Sequence, residues 1–286
     1  MKKISAIIIS ILLPILTWGQ GQVETKKVKL SDFTQKITKV VLSGNEFFDM
    51  ALQNEITLSW RISPYEFCTM EEFERYKADD DFYFLISVNA QFKKDKTPTI
   101  KYLTLVKGGA GAEKGLSSML EVVSLPATSA QFPSGREIVF LPALLDIMQK
   151  YTLASMENDV TAYGGLNTIT RKIEKENDFL VVLSENDVCP SSYEIENFEF
   201  QDDEIMVTDE ERTDSYMMNR VENVLVGYVV APTDPMPGAV YYKMLINAHN
   251  YQLYYFKKDK VSKTEAPGFT PDDIKKIHKA ITKDKS

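Results

Sequence analysis

Short aliphatic runs, each bounded by polar segments, recur along the chain. The run Val40–Leu42 is typical of a buried strand, because it is short, apolar and rich in β-branched residues. In the segment after it, Phe48, Leu52 and Ile56 recur every four residues, which places them on one face of a helix. The pattern therefore predicts a strand followed by an amphipathic helix over about 45–58.

Two of these strand-like blocks occur twice, in the same order. The block 40–46 recurs as 181–187, 141 residues later, and the block 66–72 recurs as 205–211, 139 residues later. A helical segment and two β-rich runs follow each second block. These runs are 82–91 and 99–107 in the first half, and 221–231 and 240–247 in the second half. Self-similarity at a nearly constant spacing indicates an internal duplication.

Each second block also ends in the sequence Thr-x-Glu-Glu, which has the spacing of a capping box. Thr69 and Thr208 are therefore predicted to cap equivalent helices. Val41 and Val182 are predicted to occupy equivalent buried strand positions. The second copy differs from the first in two respects, because 185–203 lacks a helical pattern and 251–257 adds one strand.

These patterns predict an α/β (α+β) fold of two tandem related β-α-β-α-β-β units with mixed sheets, joined by a long helical segment. The predicted boundaries are 1–19 for a signal peptide, 20–140 for the first unit with a glycine-rich loop, 141–176 for connecting helices, 177–260 for the second unit and 261–286 for a C-terminal helix. Pro142 is expected in the first turn of the connecting helix, where proline is tolerated. A start at Ser134–Glu137 is the alternative, and Gly164–Gly165 is expected to break the helix.

The first 19 residues have the layout of a cleaved secretory signal. Lys2 and Lys3 precede an apolar run over 4–16, and Thr17 and Gly19 are small residues at the predicted cleavage site. The run is shorter than the roughly 20 residues that span a bilayer. A lipid anchor needs a cysteine at the cleavage site, and none is present there. We therefore expect a periplasmic or secreted protein with no transmembrane segment after cleavage.

The formal net charge of −8 makes nucleic acid and anionic lipid surfaces poor partners. Cys68 and Cys189 are the two cysteines, and they form a disulfide in one interpretation and remain buried thiols in the other. His249 is expected in a solvent-facing turn, and His278 is expected on the terminal helix. No His/Cys cluster has zinc spacing, so no metal, cofactor or catalytic residue is predicted, and a non-enzymatic role is favoured.

The glycine-rich loop 108–115 follows a predicted strand and precedes a predicted helix, which is the setting of a phosphate-binding loop. Its spacing does not match a P-loop or a dinucleotide fingerprint. A flexible turn is the favoured interpretation. In the alternative, Gly109, Gly111 and Lys114 form an anion site.

Five tyrosines are concentrated in the last predicted hairpin. They are Tyr241, Tyr242, Tyr251, Tyr254 and Tyr255. On an exposed sheet face such side chains bind sugars or protein partners. The alternative is cross-strand pairing within the hairpin.

Two resemblances can be stated on these residues. The signal peptide ending at Gly19, together with the runs 242–246 and 253–256, resembles uncharacterised exported proteins of Bacteroides-type bacteria. The topology of each half, best matched over 221–257, is similar to the small α/β domain of the TolB N-terminus and of curli-secretion-type lipoproteins. That similarity is at the level of the fold and implies an envelope protein that binds protein partners.

We therefore expect an exported, non-catalytic envelope protein that acts by interaction or as a scaffold. The alternative is a protein that binds a small ligand or glycan in a cleft between the two units. A hydrolase whose site is assembled from distant residues is the third hypothesis.

Overall fold

Two five-stranded mixed sheets, with one long helix between them, form the core of the protein. The computed structural model describes residues 24–92, 95–174, 178–195 and 204–282, so the predicted signal peptide lies outside the described residues. The first sheet contains β1 (Ile37–Val41), β2 (Tyr65–Cys68), β3 (Phe82–Ala90), β4 (Ile100–Lys107) and β5 (Leu120–Ser129). The second contains β6 (Leu180–Ser184), β7 (Ile205–Thr208), β8 (Val224–Val230), β9 (Val240–Asn247) and β10 (Leu253–Lys260). The helices are α1 (Lys26–Leu30), α2 (Glu46–Ser59), α3 (Met70–Tyr76), α4 (Arg136–Glu157), α5 (Asp159–Gly164), α6 (Glu210–Met218) and α7 (Pro271–Ile281).

The two sheets have the same topology, strand for strand. The first has the order β2-β1-β3-β4-β5, and the second, read in the same sense, has the order β7-β6-β8-β9-β10. In each sheet the first strand in sequence is parallel to both of its neighbours, and the remaining pairs are antiparallel. The predicted tandem α/β architecture with mixed sheets is therefore confirmed.

The fifth strand is present in both units, whereas the sequence predicted it only in the second. In the first unit it is β5, which pairs with β4 through a ladder that shifts register twice. Those irregularities disturb the alternation of apolar and polar residues by which a strand is predicted. Pro126 also lies inside β5, a position that proline tolerates because β5 is an edge strand.

The residues that correspond between the first strands of the two units differ from the predicted ones. Val41 pairs with the last residue of β2, and Ser184 pairs with the last residue of β7. Ser184, rather than Val182, is therefore the counterpart of Val41 in the ladder. The shift is two residues, so both positions face the same side of the sheet.

The helix caps follow the same comparison. Thr69 caps α3 with a full capping box, as predicted. The prediction for Thr208 is wrong by one residue, because Thr208 is the last residue of β7 and Asp209 caps α6. The carboxylate of Asp209 accepts a hydrogen bond from the amide of Arg212, and no glutamate is in place to complete a box.

In the first unit, the first helix is α2, which begins after Asn45 as predicted; in the second unit, the described residues contain no α-helix between β6 and β7. In the second unit two short 3-10 turns follow β6. The sheet face that α2 covers in the first unit is covered by α7 in the second, through Ile274, Ile277 and Ile281. The predicted C-terminal helix is α7, which begins with a capping box at Thr270.

The connecting helix α4 begins at Arg136, so the expected start at Pro142 is wrong. The alternative start is the observed one. Glu137 accepts a hydrogen bond from the Gly135 amide, and the buried Arg136 side chain is held by acids of the second unit. These contacts extend the helix by two turns before Pro142, at the cost of one backbone hydrogen bond. The long helix ends at Glu157, earlier than the expected break, and Gly164 and Gly165 end the short helix α5 that follows it.

A continuous apolar core joins α4 to both sheets. It includes Val40 and Leu52 of the first unit, Leu144 of α4, and Val226 and Met217 of the second unit. The two units are therefore packed on one shared helix. Within the residues that the structure describes, no helix is both long and apolar enough to cross a membrane.

Candidate functional site

Two cavities lie where the units meet. The larger, called the groove below, has a volume of about 940 Å³. One wall is the face of β3 and β4 that points away from α2, together with β5 and Tyr151 of α4. The other wall comes from β9 and β10, and α5 closes one end. Its lining residues that are used below are Lys26, Phe92, Tyr102, Thr104, Ser124, Tyr163, Tyr242, Phe256 and Lys258.

Aromatic side chains from both units meet at one end of the groove. The Tyr102 hydroxyl donates to the Tyr242 hydroxyl at 2.7 Å, and the two rings pack edge to face. Tyr242 stacks on Phe256 with ring centroids 5.8 Å apart. Burial and this hydrogen bond raise the pKa of Tyr102 well above its usual value, so its hydroxyl keeps the proton that it donates to Tyr242. The two units are therefore fixed to each other here by a polar contact inside an aromatic cluster.

Lys258 places a cation beside this cluster. Its ammonium lies 5.2 Å from the Phe92 ring centre and 5.7 Å from that of Tyr242, within the range of cation–π attraction. Among the described residues, no carboxylate lies within ion-pair distance of Lys258. An anionic group of a ligand would find an uncompensated charge at this end.

The opposite end is closed by α1 and α5. The Lys26 ammonium donates to the Val122 carbonyl on the free edge of β5, and the Tyr163 hydroxyl accepts from the Lys26 amide. Burial lowers the pKa of Lys26, and the nearby charge of Glu121 opposes that effect. Between the two ends, Thr104 and Ser124 present hydroxyl groups 3.1 Å apart on the sheet face. The groove thus offers aromatic faces, hydroxyls and two ammonium groups along one surface.

The second cavity, called the junction cavity below, has a volume of about 390 Å³. Arg136, Asp187 and Glu210 supply its charged lining. Arg136 is buried, and its guanidinium stands over the rings of Phe140 and Tyr228. α4 therefore presents this cation directly to the second unit.

Arg136 binds acids from two separate elements. It donates to both oxygens of Asp214 on α6, with distances of 2.8 to 3.1 Å, and to Asp187 after β6 at 2.9 Å. Glu210 lies 3.8 Å from the same guanidinium nitrogen as Asp187. This arrangement pins the start of α4 against α6 and the segment after β6.

Burial dominates the titration of these acids. It raises the pKa of Asp187 to about 6, although the Arg136 charge opposes the shift. Burial raises the pKa of Asp214 as well, against the same opposition. A carboxyl group with a raised pKa in a cavity is the kind of group that functional sites use.

The five predicted tyrosines do not form one surface. Only Tyr242 lines the groove. Tyr241 is buried on the other face of β9, and Tyr255 donates to Asp273 of α7 at 2.7 Å. Tyr254 packs edge to face on Phe179, and the Tyr251 ring lies under the Arg220 guanidinium. These four tyrosines therefore contact other parts of the second unit and α7, and the ring pair across the β9–β10 hairpin is that of Tyr242 with Phe256.

The glycine-rich loop is a hydrogen-bonded turn. Gly109 and Gly111 adopt positive φ angles of 126° and 101°, and Lys114 is exposed. The amide of Gly109 donates to Lys77, and the amide of Lys114 donates to Gly111. The loop precedes β5 through 3-10 turns, not the α-helix that an anion site would need.

The thiols and histidines are placed apart from both cavities. Cys68 at the end of β2 and Cys189 in the segment after β6 are buried free thiols, and burial raises the pKa of each to about 11. His249 is exposed in the β9–β10 turn, as expected. His278 on α7 pairs with Glu204 at 3.1 Å.

Arg136 and Asp187 are site residues that the sequence did not single out. Each of these two residues belongs to a sequence pattern, but neither pattern indicates a functional site. Arg136 belongs to the alternative helix start, and Asp187 ends a repeated block at the position of Glu46. No spacing rule brings these two residues together, because α4 and the segment after β6 meet only in the folded chain.

Comparison of the chain with protein-family models, with curated proteins and with solved structures finds no match. The groove and the junction cavity must therefore be interpreted from their own geometry.

Proposed function

We propose that this chain is an exported, non-catalytic binding protein that holds a small organic ligand or a glycan segment in the groove between its units. The groove itself is the observation that supports the proposal, because both units contribute its walls. Its volume of about 940 Å³ lies at the upper end of the range for pockets that enclose small ligands.

The chemistry of the lining supports this class of ligand. Tyr242 and Phe256 offer apolar aromatic surface, which packs on the C–H faces of sugar rings and on other flat organic groups. Thr104 and Ser124 offer hydroxyls that donate and accept. Lys258 offers a positive charge for an acidic group. A protein of this kind needs no catalytic residue, only a preformed groove.

Native mass spectrometry of protein isolated from its own host tests the proposal. We expect a bound species on the wild type, and its loss in Ser124→Trp, where the indole fills the groove. Ser118→Trp is the matched control, because Ser118 is exposed in the neighbouring loop and does not line the groove. A bound species that persists in a folded Ser124→Trp variant would contradict the assignment, as would a wild type without any. The same spectrum tests export, since the mature mass should lack residues 1–19.

The second candidate function is interaction with an envelope protein partner. Apolar side chains on the outer side of α2 favour it, since Phe47 is 74% exposed, Met50 63% and Leu58 61%. A photo-crosslinking residue at Met50 in the native cell, followed by mass spectrometry, tests this role. One specific crosslinked protein is expected, and the same residue at Lys275 on α7 is the control. Equal crosslinking from both positions would reject it.

A further inference from the structure

The charges at the junction cavity do not balance. Over the residues that the structure describes, Arg136 is the one cation in contact with the carboxylates of Asp187, Glu210 and Asp214. With all groups ionised, the four side chains carry a net charge of −2, of which the buried Arg136, Asp187 and Asp214 carry −1, because the Glu210 side chain is 39% exposed. Burying unbalanced charge is costly unless a further cation or a proton compensates it.

Asp187 shows where the compensating group would bind. Its side chain is 5% accessible, and Arg136 donates to only one of its oxygens. Over the part of the chain that the structure describes, the other oxygen, Oδ1, has no hydrogen-bond donor. Oδ1 is not fully enclosed by protein, and because Asp187 lines the junction cavity, we infer that Oδ1 is accessible from that cavity. Buried polar atoms normally have a hydrogen-bond partner, so a carboxylate oxygen that faces a cavity can accept a hydrogen bond from a ligand there.

A compact metal ion does not fit this arrangement. Within the described ranges, the one cluster whose ligand atoms converge on a point is the exposed Asp79–Asp81 group, not the acids of the junction cavity. The acids are spread along a cavity, which suits an extended cation with several N–H donors.

The mouth of the cavity is apolar. Phe132 lines it and is 67% exposed, and Pro232, Pro235 and Pro267 lie around it. An exposed aromatic ring beside an acidic recess can cover the methylene stem or the planar head of a basic group. The acidic lining and the exposed Phe132 ring therefore both favour a ligand with a basic head group and an apolar stem.

We propose that the junction cavity binds an organic cation, a guanidinium or primary ammonium group, whose head contacts Asp187 Oδ1 and Glu210 and whose stem lies against Phe132. The cation comes either as a free amine or as a basic side chain of a peptide. This site is separate from the groove, so it stands or falls independently of the function proposed for the groove.

Calorimetric titration of the full chain with agmatine at pH 7.5 tests the site. Saturable binding is expected, with at least a tenfold loss of affinity in Glu210→Gln and in Asp187→Asn. Glu211→Gln is the matched control, because Glu211 is exposed on the same helix and outside the cavity. N-butylurea, which has a similar shape and no charge, should not bind. Equal binding of N-butylurea would overturn the proposal. Unchanged agmatine affinity in the folded Glu210→Gln and Asp187→Asn variants would also overturn it. The same holds if neither agmatine nor a capped Ala-Arg-Ala tripeptide binds to the wild type.

Two further arms sharpen the result. A capped Ala-Arg-Ala tripeptide that binds more tightly than agmatine identifies a peptide side chain as the occupant. Tighter binding of agmatine identifies a free amine. Agmatine affinity should also fall severalfold below pH 6, because the proton that neutralises Asp187 there competes with the cation beside Arg136, Glu210 and Asp214. Affinity that does not change between pH 7.5 and 5 would contradict the contact with Asp187.

Discussion

The two units have the same ladder of strands but different helical cover. In the first, α2 follows β1 directly and covers one face of the sheet. In the second, the described residues after β6, up to 195, form short 3-10 turns, and α7 arrives from the C-terminal part of the chain to cover the corresponding face. The difference shows that the exposed apolar face of a sheet must be covered, whereas the position in sequence of the covering helix is free to change.

The same difference decides which faces meet at the centre. In the first unit the face covered by α2 also packs on α4. In the second unit the face covered by α6 packs on α4, and the face covered by α7 points away. Related sheets therefore present opposite faces to the shared helix. As a result, the groove and the junction cavity each combine different parts of the two units.

The largest effect is expected from breaking the attachment of α7. Lys243 of β9 and Asp273 of α7 are both fully buried and form an ion pair. Asp273 also accepts from Tyr255 and from the Thr270 amide. Against the effect of burial, the contact with Lys243 and these two bonds hold the pKa of Asp273 well below its usual range. Asp273→Asn should lower the free energy of unfolding by about 3 kcal/mol, the lower part of the range for a broken buried pair, because Asp259 still contacts Lys243.

Urea denaturation of Asp273→Asn measures this loss, with Asp272→Asn as the control because Asp272 is exposed beside it. The pH dependence gives a second check. A carboxylate with a depressed pKa in the folded state stabilises the protein above its unfolded pKa and loses that contribution as the pH falls. The wild type should therefore approach the variant in acid, and a constant difference down to pH 2 would contradict the ion pair.

The equivalence of α2 and α7 can be tested by removing one buried side chain from each. Leu52→Ala in α2 and Ile277→Ala in α7 should each cost about 2–5 kcal/mol, since both side chains are buried against the corresponding sheet faces. The comparison is made by urea denaturation with each variant followed to full unfolding. A cost below about 1 kcal/mol for Ile277→Ala alone would show that α7 is an accessory to the second sheet and not its cover.

These comparisons also show what the sequence could and could not predict. The blocks around Val41 and Val182 predicted a duplicated fold because local apolar runs and cap spacings are encoded in neighbouring residues. The strand β5 was missed because bulges interrupt its alternation. The contact of Arg136 with Asp187 was missed because it depends on how two distant segments pack, and no local pattern records that.

The acids that follow the first strand of each unit differ in their partners. In the first unit Asp49 accepts from the backbone amides of Ser43 and Gly44. In the second, Asp187 accepts from Arg136, and burial raises its pKa to about 6. The folded state therefore keeps a proton that the unfolded chain releases, and stability is lost as the pH rises from about 4 to 6, by up to about 1.4 kcal/mol per pH unit.

Asp187→Asn should remove this slope. The amide oxygen still accepts from Arg136, but it does not titrate. The measurement is the difference in unfolding free energy between wild type and variant at pH 4, 5, 6 and 7, which cancels the titration of all other groups. Parallel curves for the two proteins over this range would show that Asp187 titrates as in an unfolded chain.

The smallest expected effects concern the residues that cap α3 and α6. These caps show which residues of the two units are equivalent at the start of each helix. Thr69→Ala should cost about 0.5–2 kcal/mol, because the hydroxyl accepts from the Glu72 amide and Glu72 bonds back to Thr69. Asp209→Ala should cost about as much, because its carboxylate accepts from the Arg212 amide. Thr208→Ala should change stability by less than about 0.5 kcal/mol, since Thr208 ends β7 and caps nothing. Thermal denaturation of the three variants shows which residue caps α6. If Thr208→Ala costs as much as Thr69→Ala and Asp209→Ala costs little, α6 begins one residue earlier than the structure shows. Thr69 and Thr208 would then be equivalent caps, as the sequence predicted.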